Sequence, residues 1–316
     1  MLKSNLAILS LALLLVFLSS FLYGKDEYGI EEYSPSWCKN PAHRHRRRIK
    51  LGSSTENTGK KMKGSKEDSK IESNQAKVEL DKLIFNMRSY QEIVEKIRGR
   101  KFKSGVYGQV QSRTEFEDQM KYKIEEMFFS KARYAELELL KLGLIPKDYD
   151  LQKGIEELLL SQVTAYYDPG SKTIYLVKSD YSQEQIEAFI VHELCHALQD
   201  QYYNLDILME QGGGSDKETA IRFLIEGEAN YITNIYSLQK NSTAYTLDNP
   251  LLKDTFDRFS KMSRKEITEY LTVSSPSLKE ATPELLGAIT VIKYIPSYLF
   301  WINIAPYYQG TYAIYN

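Results

Sequence analysis

Two histidines four residues apart enclose a glutamate in the run His192-Glu193-Leu194-Cys195-His196. On a helix, positions i and i+4 project from one face. Two imidazoles so placed can share one zinc ion, and the neighbouring Glu193 carboxylate can take a proton from a water held by that metal. The chain has only four histidines. The other two, His43 and His45, stand in an arginine-rich stretch with no structured partner, and no catalytic role is assigned to them.

A catalytic zinc site needs a third protein ligand and leaves the fourth position to water. The stretch Glu226-Gly227-Glu228-Ala229-Asn230 offers two carboxylates. They stand about 200° apart around a helix, so only one can face the metal. Periodicity does not choose between them, because the surrounding stretch is apolar around most of its circumference. Asn230 lies one turn beyond Glu226 and can accept the spare ring N–H of a ligating histidine, which favours Glu226 as the ligand. Otherwise both glutamates are paired structural carboxylates. Asp200, one turn beyond His196, reads either as a partner that orients His196 or as a solvent-facing carboxylate. Cys195 reads as a small buried packing residue.

These side chains need elements to hold them. Ser182 with Gln185 forms a capping box that opens a helix running to about Tyr203. On that helix Ile186, Ile190, Leu194 and Ala197 share one face, and the histidines point to the other side. Before it, Val163–Tyr167, a turn over Asp168-Pro169-Gly170-Ser171, and Thr173–Val177 read as strand, turn, strand. The backbone of Ala165 and Tyr166 can hold an extended peptide as an added strand. Upstream lie a helix over Ala76–Arg98, a short strand over Gly105–Val110, and helices over Thr114–Phe129, Lys131–Leu142 and Leu151–Gln162, with Pro146 and Asp148 between the last two. After a hinge at Gly212-Gly213-Gly214, Ser215–Lys240 reads as a long helix. The fold class is α+β: a small mixed sheet with one open edge, backed by two metal-bearing helices, in one domain over residues 76–316.

The chain's 316 residues carry a net charge of −1 and give no global attraction to nucleic acid or anionic lipid. Two cysteines, Cys38 and Cys195, make no disulfide framework. Lys3 followed by an apolar run from Leu6 to Tyr23 reads as an export signal over residues 1–24, cleaved or kept as a membrane anchor. Residues 25–75, with His43-Arg44-His45-Arg46-Arg47-Arg48 near their start, read as a basic, polar, disordered tether. No repeat and no phosphate-binding glycine loop is present. The 24 tyrosines single out no oxyanion-stabilising residue; Tyr166-Tyr167 and Tyr202-Tyr203 read as core and rim aromatics.

The hairpin, the HELCHALQDQ run and the EGEA run together resemble the gluzincin branch of zinc peptidases, the thermolysin-like group. More narrowly, the span from Ile97-Arg98-Gly99 through AYYDPGSKTIYL, HELCHALQDQ and EGEA is similar to a family of uncharacterised prokaryotic predicted metallopeptidases, over about residues 76–316. The resemblance implies a zincin-like fold, one zinc per chain, His192, His196 and the first glutamate of EGEA (Glu226) as ligands, and Glu193 as general base. Gluzincins usually carry Asp where Asn230 stands. Relatives also continue beyond the Pro306-Tyr307-Tyr308-Gln309-Gly310 element, so the expectation is a C-terminally shortened domain. The expected function is an exported, periplasmic, extracellular or membrane-anchored zinc metallopeptidase acting on peptide or protein substrates. The alternatives are an inactive zincin-fold binding or scaffold protein of the cell envelope and, more remotely, a tethered helical adhesin.

Overall fold

The computed structural model describes residues 80–127, 133–162, 164–178, 183–210, 216–241, 254, 256–258, 260–274, 290–291 and 293–315. The expected export segment, the tether, the Ser182 half of the capping box and the glycine hinge lie outside them. Among the described residues no helix is long and apolar enough to cross a membrane.

The elements run α1 (Met87–Arg98), β1 (Tyr107–Gln111), α2 (Arg113–Met127), α3 (Arg133–Lys141), α4 (Leu151–Gln162), β2 (Ala165–Asp168), β3 (Thr173–Val177), α5 (Gln183–Tyr203), α6 (Leu205–Glu210), α7 (Asp216–Asn241), α8 (Arg264–Ser274) and α9 (Ser297–Tyr315). The architecture is mixed α+β, mostly helical, with one small sheet. Helix α1 stops where Gly99 turns left-handed (φ 70°) and donates its N–H to the Glu95 carbonyl, a conformation that costs glycine nothing. The helical pattern expected from Ala76 onward is interrupted at Asn86, which stands outside helical geometry just before α1.

The sheet has three strands in the order β1-β3-β2, with β1 parallel and β2 antiparallel to β3. The hairpin joining β2 and β3 closes with Lys172 in the left-handed region (φ 54°) and with the Ser171 N–H donated to the Asp168 carboxylate at 3.1 Å. Strand alternation separates two cores. Ala165, Tyr167, Ile174 and Leu176 pack with Met87 and Val94 of α1 and with Ile186, Ile190 and Leu194 of α5. Tyr166 and Val177 join the other cluster, with Phe116, Leu159 and Phe300. There the Tyr166 and Tyr175 rings stack 4.9 Å apart, and the Tyr166 hydroxyl donates to Gln111 at 3.0 Å.

Candidate metal centre

Helix α5 carries the histidines, and every residue from Ile186 to Asp200 is buried. Its apolar face lies on the sheet as expected. The opposite face meets α7, so the polar side chains there must satisfy one another. The helix ends at Asn204, which is left-handed (φ 51°) and donates its N–H to the Asp200 carbonyl at 2.9 Å; asparagine tolerates that conformation better than most residues.

His192, His196 and Glu226 converge, each no more than 3 % exposed, and together lie close enough to bind a metal ion. The two Nε2 atoms stand 3.0 Å apart. The Glu226 Oε2 lies 3.3 Å from His192 Nε2 and 3.5 Å from His196 Nε2. Only one of the two EGEA glutamates reaches the imidazoles. Glu228 turns away, as the 200° separation requires, pairs with Arg98 of α1 and accepts a hydrogen bond from Gln199 at 2.9 Å.

Glu193 is buried beside this cluster, and its Oε2 accepts the Tyr167 backbone N–H at 2.8 Å. Burial pushes its carboxyl up to about 8 against the pull of His196 and of the Tyr167 N–H. Burial would raise Glu226 too, but the two imidazoles outweigh it and hold that carboxyl near 2. Burial lowers His192 to about 4. For His196 the same burial is outweighed by the Glu226 carboxylate, which favours the charged ring. The Cys195 thiol is fully buried and raised well above its ordinary range by desolvation, so it packs rather than reacts.

Three sequence expectations need correction. Asn230 does not serve a histidine. Its Nδ2 donates to the Tyr307 carbonyl at 2.9 Å and to the Thr311 hydroxyl at 2.8 Å, both on α9. His192 Nδ1 has no hydrogen-bond partner among the described residues. Asp200 neither orients His196 nor faces solvent: it is buried and takes the Tyr167 hydroxyl and the Lys172 ammonium, each at 2.7 Å, with the Leu205 N–H at 3.1 Å. It therefore ties the hairpin to the end of α5. Tyr166 cannot present its backbone to an added strand, because it pairs directly with Tyr175. The Val177 N–H bonds the Thr164 carbonyl at 2.8 Å; alternation then turns the N–H and C=O of Ala165 and Tyr167 outward, toward the unpaired edge of β2. The Tyr167 N–H is the one that reaches Glu193.

Sequence reasoning missed two features. Gln199 accepts at its Oε1 from the His196 Nδ1 side, 2.9 Å away; a glutamine three residues after a histidine carries no spacing signal of its own. Helix α9 also covers the centre. Its Tyr307 ring stacks on His192 with centroids 6.1 Å apart. The approach is permitted by Gly227, between the two glutamates, and by Gly310: a Cβ added at Gly227 would fall 2.7 Å from the Gly310 Cα. The paired glycines were visible in the sequence, but nothing there said they face each other.

Comparison with protein-family models, curated proteins and solved structures gives no match.

Proposed function

We propose that the chain is a zinc metallopeptidase of gluzincin type, with His192, His196 and Glu226 as zinc ligands and Glu193 as general base. The observation that carries this reading is the convergence of two imidazole nitrogens and one carboxylate oxygen beside a buried second carboxylate. Donors about 2.0–2.1 Å from a tetrahedral zinc stand about 3.3 Å apart, and the three separations here are 3.0, 3.3 and 3.5 Å. The Glu226 Oε2 is buried with no hydrogen-bond donor among the described residues. The two adjoining imidazoles offset part of the cost of burying it, and a cation held between the three groups would offset the rest. The order hairpin, histidine helix, glutamate helix also supports a zincin-like fold. The apolar run from Leu6 to Tyr23 supports export or membrane anchoring.

When bound, zinc supplies Lewis acidity, acidifying a water and polarising a peptide carbonyl. Glu193 takes the proton from the attacking water and delivers it to the leaving amine. Its Oε2 is pinned by Tyr167, which leaves the second oxygen for proton exchange. The outward N–H and C=O of Ala165 can bind an extended peptide along the β2 edge. Glu193→Gln is expected to retain zinc while peptide-library turnover falls by at least about 100-fold. Equal turnover in the variant would refute the general-base role.

One observation favours a second reading. All four site residues are nearly inaccessible, and closed centres are typical of structural zinc. A non-catalytic zincin-fold binding or scaffold protein of the cell envelope would show one zinc per chain and no cleavage of any library peptide by the wild type.

A further inference from the structure

The Gln199 amide touches three groups. Its Nε2 donates to the Ile225 carbonyl at 3.0 Å and to the Glu228 Oε2 at 2.9 Å, and its Oε1 faces His196 Nδ1 at 2.9 Å. A backbone carbonyl and a carboxylate can only accept, so the NH₂ end of Gln199 must face them. Its carbonyl oxygen is thereby committed to His196, and only a protonated Nδ1 satisfies it. In the neutral ring His196 Nε2 is then the nitrogen that gives a lone pair, and a metal ion there would take the place of its proton. Glu228 is itself held, because Arg98 from α1 pairs with its other oxygen. The second glutamate of EGEA therefore has work to do without touching the metal position.

We infer that Gln199 is a positioning residue, clamped by Glu228, Arg98 and the α7 backbone, that orients His196 and fixes its Nδ1–H tautomer for metal binding. This rests on the metal-site reading above. It couples three elements, α1, α5 and α7, to one ligand. It also gives a role to the first glutamine of HELCHALQDQ and to the second glutamate of EGEA.

The test is zinc affinity of the full chain, measured by competition against a chromophoric chelator, with histidine-ring NMR of the zinc-loaded protein. Gln199→Leu removes the acceptor and is expected to weaken zinc about 10–100-fold. It should also abolish the slowly exchanging His196 Nδ1–H resonance present in the wild type. Glu228→Ala leaves Gln199 in place at a position that is only partly buried, so it tests the clamp should Gln199→Leu not fold; a loss of about 3–10-fold is expected, below that for removing the acceptor itself. A wild type that binds zinc while Gln199→Leu and Glu228→Ala bind it equally well overturns the positioning role alone. A wild type that binds no zinc overturns the metal-site reading beneath it.

Discussion

Glu193 and Glu226 are buried close together, yet their surroundings push the two carboxyls in opposite directions, up to about 8 and down to about 2. Two imidazoles stand against Glu226, while Glu193 has one backbone N–H as its hydrogen-bond donor. Environment thus separates a carboxylate held ionised from a carboxyl that can carry a proton. Glu226→Gln is therefore expected to lose zinc on dialysis that the wild type survives, as measured by metal content per chain. Asn230 makes a sharper case. Asp at this position would be expected to serve a histidine in a gluzincin, but here the residue donates twice to α9. Asn230→Asp would set a carboxylate against the Tyr307 carbonyl and should destabilise the fold by about 1–3 kcal/mol in denaturant unfolding, with no gain in zinc affinity. The i,i+4 histidines were legible because helix geometry alone brings them together. Asn230, Asp200 and Gln199 were not, because each could bond in several directions and the choice belongs to neighbours distant in sequence.

At the level of elements, the close contact between α7 and α9 adjoins the centre. Gly227→Ala would push a methyl group into the Gly310 backbone, which cannot rotate away as a side chain could. Unfolding free energy should fall by about 1–3 kcal/mol, and zinc should weaken with it because Glu226 adjoins the clash. The contact between α5 and α7 has its own lock. Glu187 accepts from Gln183 at 2.8 Å, from Tyr236 at 2.9 Å and from Lys240. Burial alone would raise the Glu187 carboxyl, but these donors together lower it below its ordinary 4.5. The unfolded chain then binds a proton before the folded one does, so this stabilisation is full above about 4.5 and is lost as pH falls through the folded value. The acid-induced drop in melting temperature should be smaller in Glu187→Gln than in the wild type. The hairpin and α5 were readable from alternation and helical period. The role of α9 was not: it is apolar on nearly every side and contains Pro306, so no periodic face pointed to its partner.

For the whole molecule, two cores on opposite faces of a three-stranded sheet leave the centre wedged between helices rather than on a loop. The α+β class followed from the mixture of periods in the sequence. The strand order did not, because pairing β1 with β3 rather than β2 depends on long-range packing. A bound ion that bridges α5 and α7 stabilises only the folded chain. Saturating zinc at 100–1000 times its dissociation constant adds about 2.7–4.1 kcal/mol. Chelation should therefore lower the melting temperature by about 5–15 °C for a domain of this size. X-ray absorption at the zinc edge of the zinc-loaded chain tests the centre most directly. Two imidazoles with oxygen donors, all at about 2.0–2.1 Å, are expected, with the imidazole signal lost in a His192→Ala, His196→Ala variant. Sulfur at about 2.3 Å, or a zinc signal unchanged in that variant, would contradict a centre built from His192, His196 and Glu226.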